Sequence, residues 1–84
     1  MERQVTVCLP EGLHARPAAD FAKAALTYQC RVDVVTESRS VNARSLLSLL
    51  SLGVQCGQNV VLRAEGPDAE AALTGLTAML EGHV

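Results

Sequence analysis

His14, Arg16 and Pro17 stand in the stretch "GLHARPAADF", residues 12–21, where an imidazole and a guanidinium sit just ahead of an alanine-rich run. Proline is tolerated in a helix only in the first turn, where its missing N–H has no partner to lose, so a helix must begin just before Pro17. His14 then falls at or near the N-cap. The unpaired N–H groups of Ala15 and Arg16, roughly half a positive charge from the helix dipole and the full charge of Arg16 would converge beside its ring. A guanidinium fork suits phosphate oxygens, and a neutral imidazole in positive surroundings is a good phosphoryl acceptor at physiological pH. Such a cradle is enough for a carrier, because phosphoryl transfer needs positioning and charge neutralisation more than covalent machinery. It is not enough for a hydrolase: there is no second general base, no neighbouring Cys–His pair and no metal-ligand spacing, so no metal or cofactor is expected. Spacing alone favours a plainer reading, with His14 filling a cap position and Arg16 solvated.

The elements that position these residues follow from periodicity. Gln4 to Leu9 alternate as a strand, then Pro10 and Gly12 break it. From Ala15 a helix is expected, with Ala18, Phe21, Ala22, Ala25 and Leu26 as its apolar stripe. "RVDVVT" and "SVN", joined by the turn-like "ESR", predict a hairpin. Ser45 precedes "LLSLLSL", a short helix stopped by Gly53 as a left-handed cap. "NVVLRAE" is a fourth strand with Val60, Leu62 and Ala64 on one face and Arg63 and Glu65 solvated on the other. Asp68 would accept hydrogen bonds as N-cap of a last helix that turns Ala69, Ala72, Leu73, Leu76, Met79 and Leu80 inward, with Gly82 past its end. His83 reads as a frayed tail. The order β-α-β-β-α-β-α predicts an α/β (α+β) two-layer open-faced sandwich: a four-stranded antiparallel sheet with three helices on one face.

Composition narrows the function. With 84 residues there is room for one domain, residues 1–84, burying roughly 60% of the unfolded chain's surface. A net charge of −2, no Trp, one Phe and one Tyr argue against a nucleic-acid surface, which needs clustered cations and stacking platforms. Cys8, Cys30 and Cys56 are odd in number and widely spaced, fitting neither a disulfide framework nor a zinc site, and read as reduced thiols. The interrupted run "LLSLLSLGV" is too short to span a bilayer, and no signal-peptide pattern opens the chain, so a soluble cytoplasmic protein is expected.

"GLHARPAADF" resembles the active-site motif of the HPr family, the histidine-containing phosphocarriers of the bacterial phosphoenolpyruvate:sugar phosphotransferase system. "VNARSLLSLLSLG", residues 41–53, resembles that family's regulatory-serine helix, and the likeness covers essentially the whole chain. The resemblance implies that His14 takes phosphate on Nδ1 from Enzyme I and passes it to a sugar-specific IIA domain. Arg16 would clamp the phosphate, and the backbone N–H groups of Ala15 and Arg16 would receive its oxygens. Leu46, Leu47 and Leu50, with Gly53, would form the docking patch, rimmed by Lys23 and Arg44. Ser45 matches the serine that an HPr kinase/phosphorylase modifies in many Gram-positive bacteria, its phosphorylated form addressing a transcriptional regulator. The chain departs from the family pattern in Ala15, where many relatives carry Thr or Ser, and in Leu26 and Ser48, basic in some members. Docking would then rest more on apolar contact than on charge. A monomer is the easiest form for such a shuttle, and the acidic balance argues against a nucleic-acid or membrane partner. Rival readings are a paralogue of a regulatory or nitrogen-related chain, an acylphosphatase-like hydrolase echoed faintly in Asn42 and "GVQCG", and a purely structural interaction domain.

Overall fold

The computed structural model describes residues 1–82; the expected tail at His83 lies outside them. The elements are β1 (Glu2–Thr6), α1 (Ala15–Ala25), β2 (Arg31–Val35), β3 (Ser40–Asn42), α2 (Leu46–Leu52), β4 (Asn59–Glu65) and α3 (Ala69–Leu80). The sheet order is β1-β4-β2-β3, with every neighbouring pair antiparallel. Alternation decides the layering. Val5, Val32, Val34, Val60, Leu62 and Ala64 are buried on one face, where Phe21, Leu49, Leu73, Leu76 and Leu80 of the three helices meet them. The other face is open and polar. Its register sets Glu2 opposite Arg63, Arg63 opposite Asp33 and Asp33 opposite Asn42. Arg63 Nε lies 2.8 Å from Glu2 Oε2, Arg31 Nε 3.3 Å from Asp33 Oδ2, and Thr6 Oγ1 donates to Asn59 Oδ1 at 2.6 Å. The exposed Arg63–Glu2 pair is worth less than about 1 kcal/mol and serves register more than stability, while in the Arg31–Asp33 pair the carboxylate side is buried.

Four sequence expectations need correction. The first strand is regular over Glu2–Thr6 rather than to Leu9. Beyond it Val7 donates to the Gln58 carbonyl (2.9 Å) and accepts from Gly57 N–H (2.7 Å), so two residues oppose one and the ladder ends in a bulge. Leu26 does not join the buried stripe of α1: the helix ends at Ala25, and Leu26, its C-cap, is 60% exposed. Asp68 is the N-cap of α3 but makes no cap bond with its side chain. Its Oδ2 instead accepts the Gln29 N–H at 2.8 Å, tying the α1–β2 loop to the start of α3. Met79 is only half-buried, packed at the border of the core.

Candidate functional site

The loop between β1 and α1 is shaped by Gly12. Its φ is +74°, and a Cβ there would run into the backbone of Val54 and Gln55, against which the loop lies directly. Leu13 N–H donates to the Val54 carbonyl at 2.9 Å, while Leu13 itself is buried. The loop is thereby fixed to the segment that follows α2. His14 comes next as N-cap of α1, extended at φ −127° and ψ 166°, with no cap bond from its own side chain. Its carbonyl accepts from Ala18 N–H at 3.0 Å. The N–H groups of Ala15 and Arg16 open the helix and have no intrahelical acceptor, so the positive end of the helix dipole is presented next to an exposed imidazole.

The second element is α2. Ser45 is its N-cap, its Oγ accepting from Ser48 N–H at 3.3 Å, and Gly53 closes it at φ +64°, a left-handed cap that glycine adopts without penalty. Leu49 points into the core. Leu47, 80% exposed, and Leu46, 38% exposed, point out, while Leu50 is half-buried.

His14, Leu50 and Gly53 line one concavity of about 400 Å³, together with Leu13, Val54 and Cys56. The structure therefore brings the imidazole and one end of the leucine helix to one site. It does not bring Arg16 into that concavity. Arg16 lines a neighbouring groove between α1 and α3, with Asp20, Phe21 and Met79. The helical repeat agrees with this: Arg16 and Asp20, four residues apart, lie on one flank of α1, the one that faces α3. Arg16 is exposed, with the rotamer freedom to reach around the helix start. Lys23 is exposed in the last turn of α1. Arg44 differs from the expected free cation: its Nη2 donates to the carbonyls of Tyr28 (2.8 Å) and Cys30 (3.2 Å), engaging its head in the α1–β2 loop.

The perturbed groups meet where that loop touches the start of α3. Burial raises the Cys30 thiol above its ordinary range, and the neighbouring Asp68 carboxylate adds to the effect. Asp68 is held below the usual carboxylate range chiefly by the Gln29 N–H it accepts. These groups stand apart from His14 and do structural duty.

Sequence reading missed two features near the site. Cys56 shares the concavity with His14, and Arg39 reaches from the β2–β3 turn to Ser51 of α2. For the last a partial signal existed: "LLSLLSL" has no cation in its last turn, and the turn "ESR" carries one.

Comparison with known proteins shows the family. Residues 1–82 match the PTS-HPr family model, described as the PTS HPr component phosphorylation site. The chain is similar to the phosphocarrier protein HPr of Vibrio cholerae, at 39% identity over 80 residues, covering 95% of this chain and 94% of that one. The phosphocarrier protein NPr of Shewanella violacea is 37% identical over 81 residues, covering 96% and 89%, and the HPr-like protein Crh of Halalkalibacterium halodurans is also 37% identical, covering 96% of each. Among solved structures, that of HPr from Bacillus anthracis superposes with a TM-score of 0.93 at 35% identity, covering 95% of each chain. With its exposed N-cap histidine, its leucine helix and these likenesses from end to end, the chain belongs to the HPr family, the phosphocarriers of the phosphotransferase system.

Proposed function

We propose that this chain carries a phosphoryl group on His14 Nδ1 between Enzyme I and the IIA domains of sugar permeases. The observation that supports this most is His14 itself, exposed at the N-terminus of α1 in a concavity it shares with Leu50 and Gly53. In the transfer step the pyridine-type nitrogen of a neutral imidazole supplies the electron pair. The P–N bond to the donor histidine breaks as the bond to His14 Nδ1 forms, and Nε2 keeps its hydrogen. The N–H groups of Ala15 and Arg16 receive phosphate oxygens, and the guanidinium of Arg16 swings from the α3 side to clamp them. Leu46, Leu47 and Leu50 dock on either partner, with Lys23 at the rim. A small interface used in turn by two partners suits a shuttle that must release quickly. The protein acts in the cytoplasm as a monomer, holding phosphate stoichiometrically rather than turning it over.

Intact-mass analysis after incubation with phosphoenolpyruvate, magnesium and Enzyme I tests this reading. One acid-labile phosphate is expected on the wild type and none on His14→Ala. Continuous release of inorganic phosphate would identify a hydrolase instead. Onward transfer to a nitrogen-related IIA and not to sugar-specific ones would move the chain to the regulatory branch.

Ser45 is the regulatory position in this reading, and its cap geometry supports it. A phosphate there lies at the N-terminus of α2 and puts about two negative charges beside Leu46 and Leu47. Ser45→Asp should therefore slow phosphorylation by Enzyme I. An unchanged rate removes the regulatory role and leaves the cap.

A further inference from the structure

The turn between β2 and β3 is tightly held. Thr36 N–H donates to the Arg39 carbonyl at 2.8 Å, and Arg39 N–H returns to Thr36 Oγ1 at 3.4 Å. From this base the Arg39 side chain leaves the hairpin altogether. Its Nη2 donates to the Ser51 carbonyl (2.5 Å) and to Ser51 Oγ (2.7 Å), and Ser51 Oγ in turn donates to the Ser48 carbonyl at 2.7 Å. The receiving element needs such help. α2 has seven residues, no basic residue in its last turn and one fully buried side chain, Leu49. A helix this short does not hold itself, and its final carbonyls and negative dipole end call for donors and a cation. Arg39 supplies both from twelve residues away.

We propose that Arg39 is a positioning residue for partner docking: anchored in the β2–β3 turn, it sets the seating of α2 and thereby the presentation of Leu47 and Leu50 to the partner. The inference rests on the reading of α2 as the docking helix. It adds a residue outside the cradle and the leucine patch, bound at the opposite end of the helix from its Ser45 cap. A guanidinium bound to a carbonyl is a charge-assisted contact, among the stronger hydrogen bonds available at a surface.

Steady-state phosphorylation by phosphoenolpyruvate-charged Enzyme I, measured on wild type, Arg39→Gln and Arg39→Lys, is the test, with amide hydrogen exchange of α2 recorded on each. Arg39 is exposed, and circular dichroism checks that each variant keeps its fold. Arg39→Gln should raise KM about three- to tenfold with kcat unchanged, and speed exchange of the last-turn amides of α2. Arg39→Lys, which keeps the cation and a donor, should recover part of both. Equal KM across the three proteins, or a fall in kcat at constant KM, overturns the proposal. A KM rise with unaltered exchange and no rescue by lysine makes Arg39 a direct partner contact and also overturns it. Should the wild type take no phosphate, the carrier reading fails on its own, while the exchange comparison still decides whether Arg39 holds α2.

Discussion

Arg16 carries a full charge next to the helix start yet lines the groove on the α3 side rather than the concavity of His14. If its guanidinium moves to the phosphate, Arg16→Gln should slow phosphorylation of His14 by about tenfold to a hundredfold without altering the thermal midpoint. A rate within twofold of wild type would leave the backbone N–H groups and the helix dipole as the whole cradle. The thiols make a second prediction at this scale. Cys8 and Cys56 are exposed and Cys30 is buried with its thiol held protonated, so iodoacetamide should label two sites on the native protein and three after unfolding. Native labelling of Cys30 would show that the α1–β2 loop opens. Asp68 ties pH to stability in the opposite sense from Cys30. Its folded pKa is lowered, so its contribution is present above the ordinary carboxylate range and lost as pH falls through the folded value. Asp68→Asn should therefore flatten the acid limb of the stability curve; an unchanged acid limb assigns that limb to other carboxylates.

Among the elements, the two helices of the site are held by different devices. α2 depends on its ends, and Ser45→Ala should cost about 1 kcal/mol through the lost cap. Gly53→Ala should cost about as much, because a side chain must then adopt the left-handed conformation while meeting nothing else. Gly12→Ala belongs to another class, since its Cβ meets the backbone of Val54 and Gln55 as well. Urea denaturation should rank it clearly below the other two, and phosphorylation should fall with it because the loop carrying His14 is displaced. Equal losses at Gly12 and Gly53 would mean that the loop yields freely. Much of this was legible in advance. Pro17, Ser45 and Gly53 each act within one turn of their own position, so local rules located the start of α1 and both ends of α2. The reach of Arg39 to Ser51 and the capture of Asp68 by Gln29 were not legible, because each joins segments that only the fold brings together.

For the molecule as a whole, the proposed docking would take place with a net charge of −2. Arg44 is engaged with Tyr28 and Cys30, while Leu26 stands 60% exposed at the end of α1 and Leu47 80% exposed on α2. An apolar interface is screened little by salt. KM for Enzyme I should therefore change less than about threefold between roughly 0.02 and 0.5 M ionic strength. Leu26→Lys should steepen that dependence, and a steep response already in the wild type would show that charge governs the encounter. The sequence by itself determined the order of the elements, the open-faced sandwich, the N-cap histidine and the capped leucine helix, since periodicity of two or 3.6 residues and the needs of proline, serine and glycine act over a few neighbours. Only the tertiary structure decided that His14 and Leu50 share a concavity, that Arg16 lies outside it, that Leu26 is exposed, and that Arg39 and Arg44 are fastened to distant carbonyls. Those outcomes depend on which helix faces meet over the sheet and how far a long side chain reaches. Such relations are set by packing between residues far apart in the chain, where local pattern carries no information.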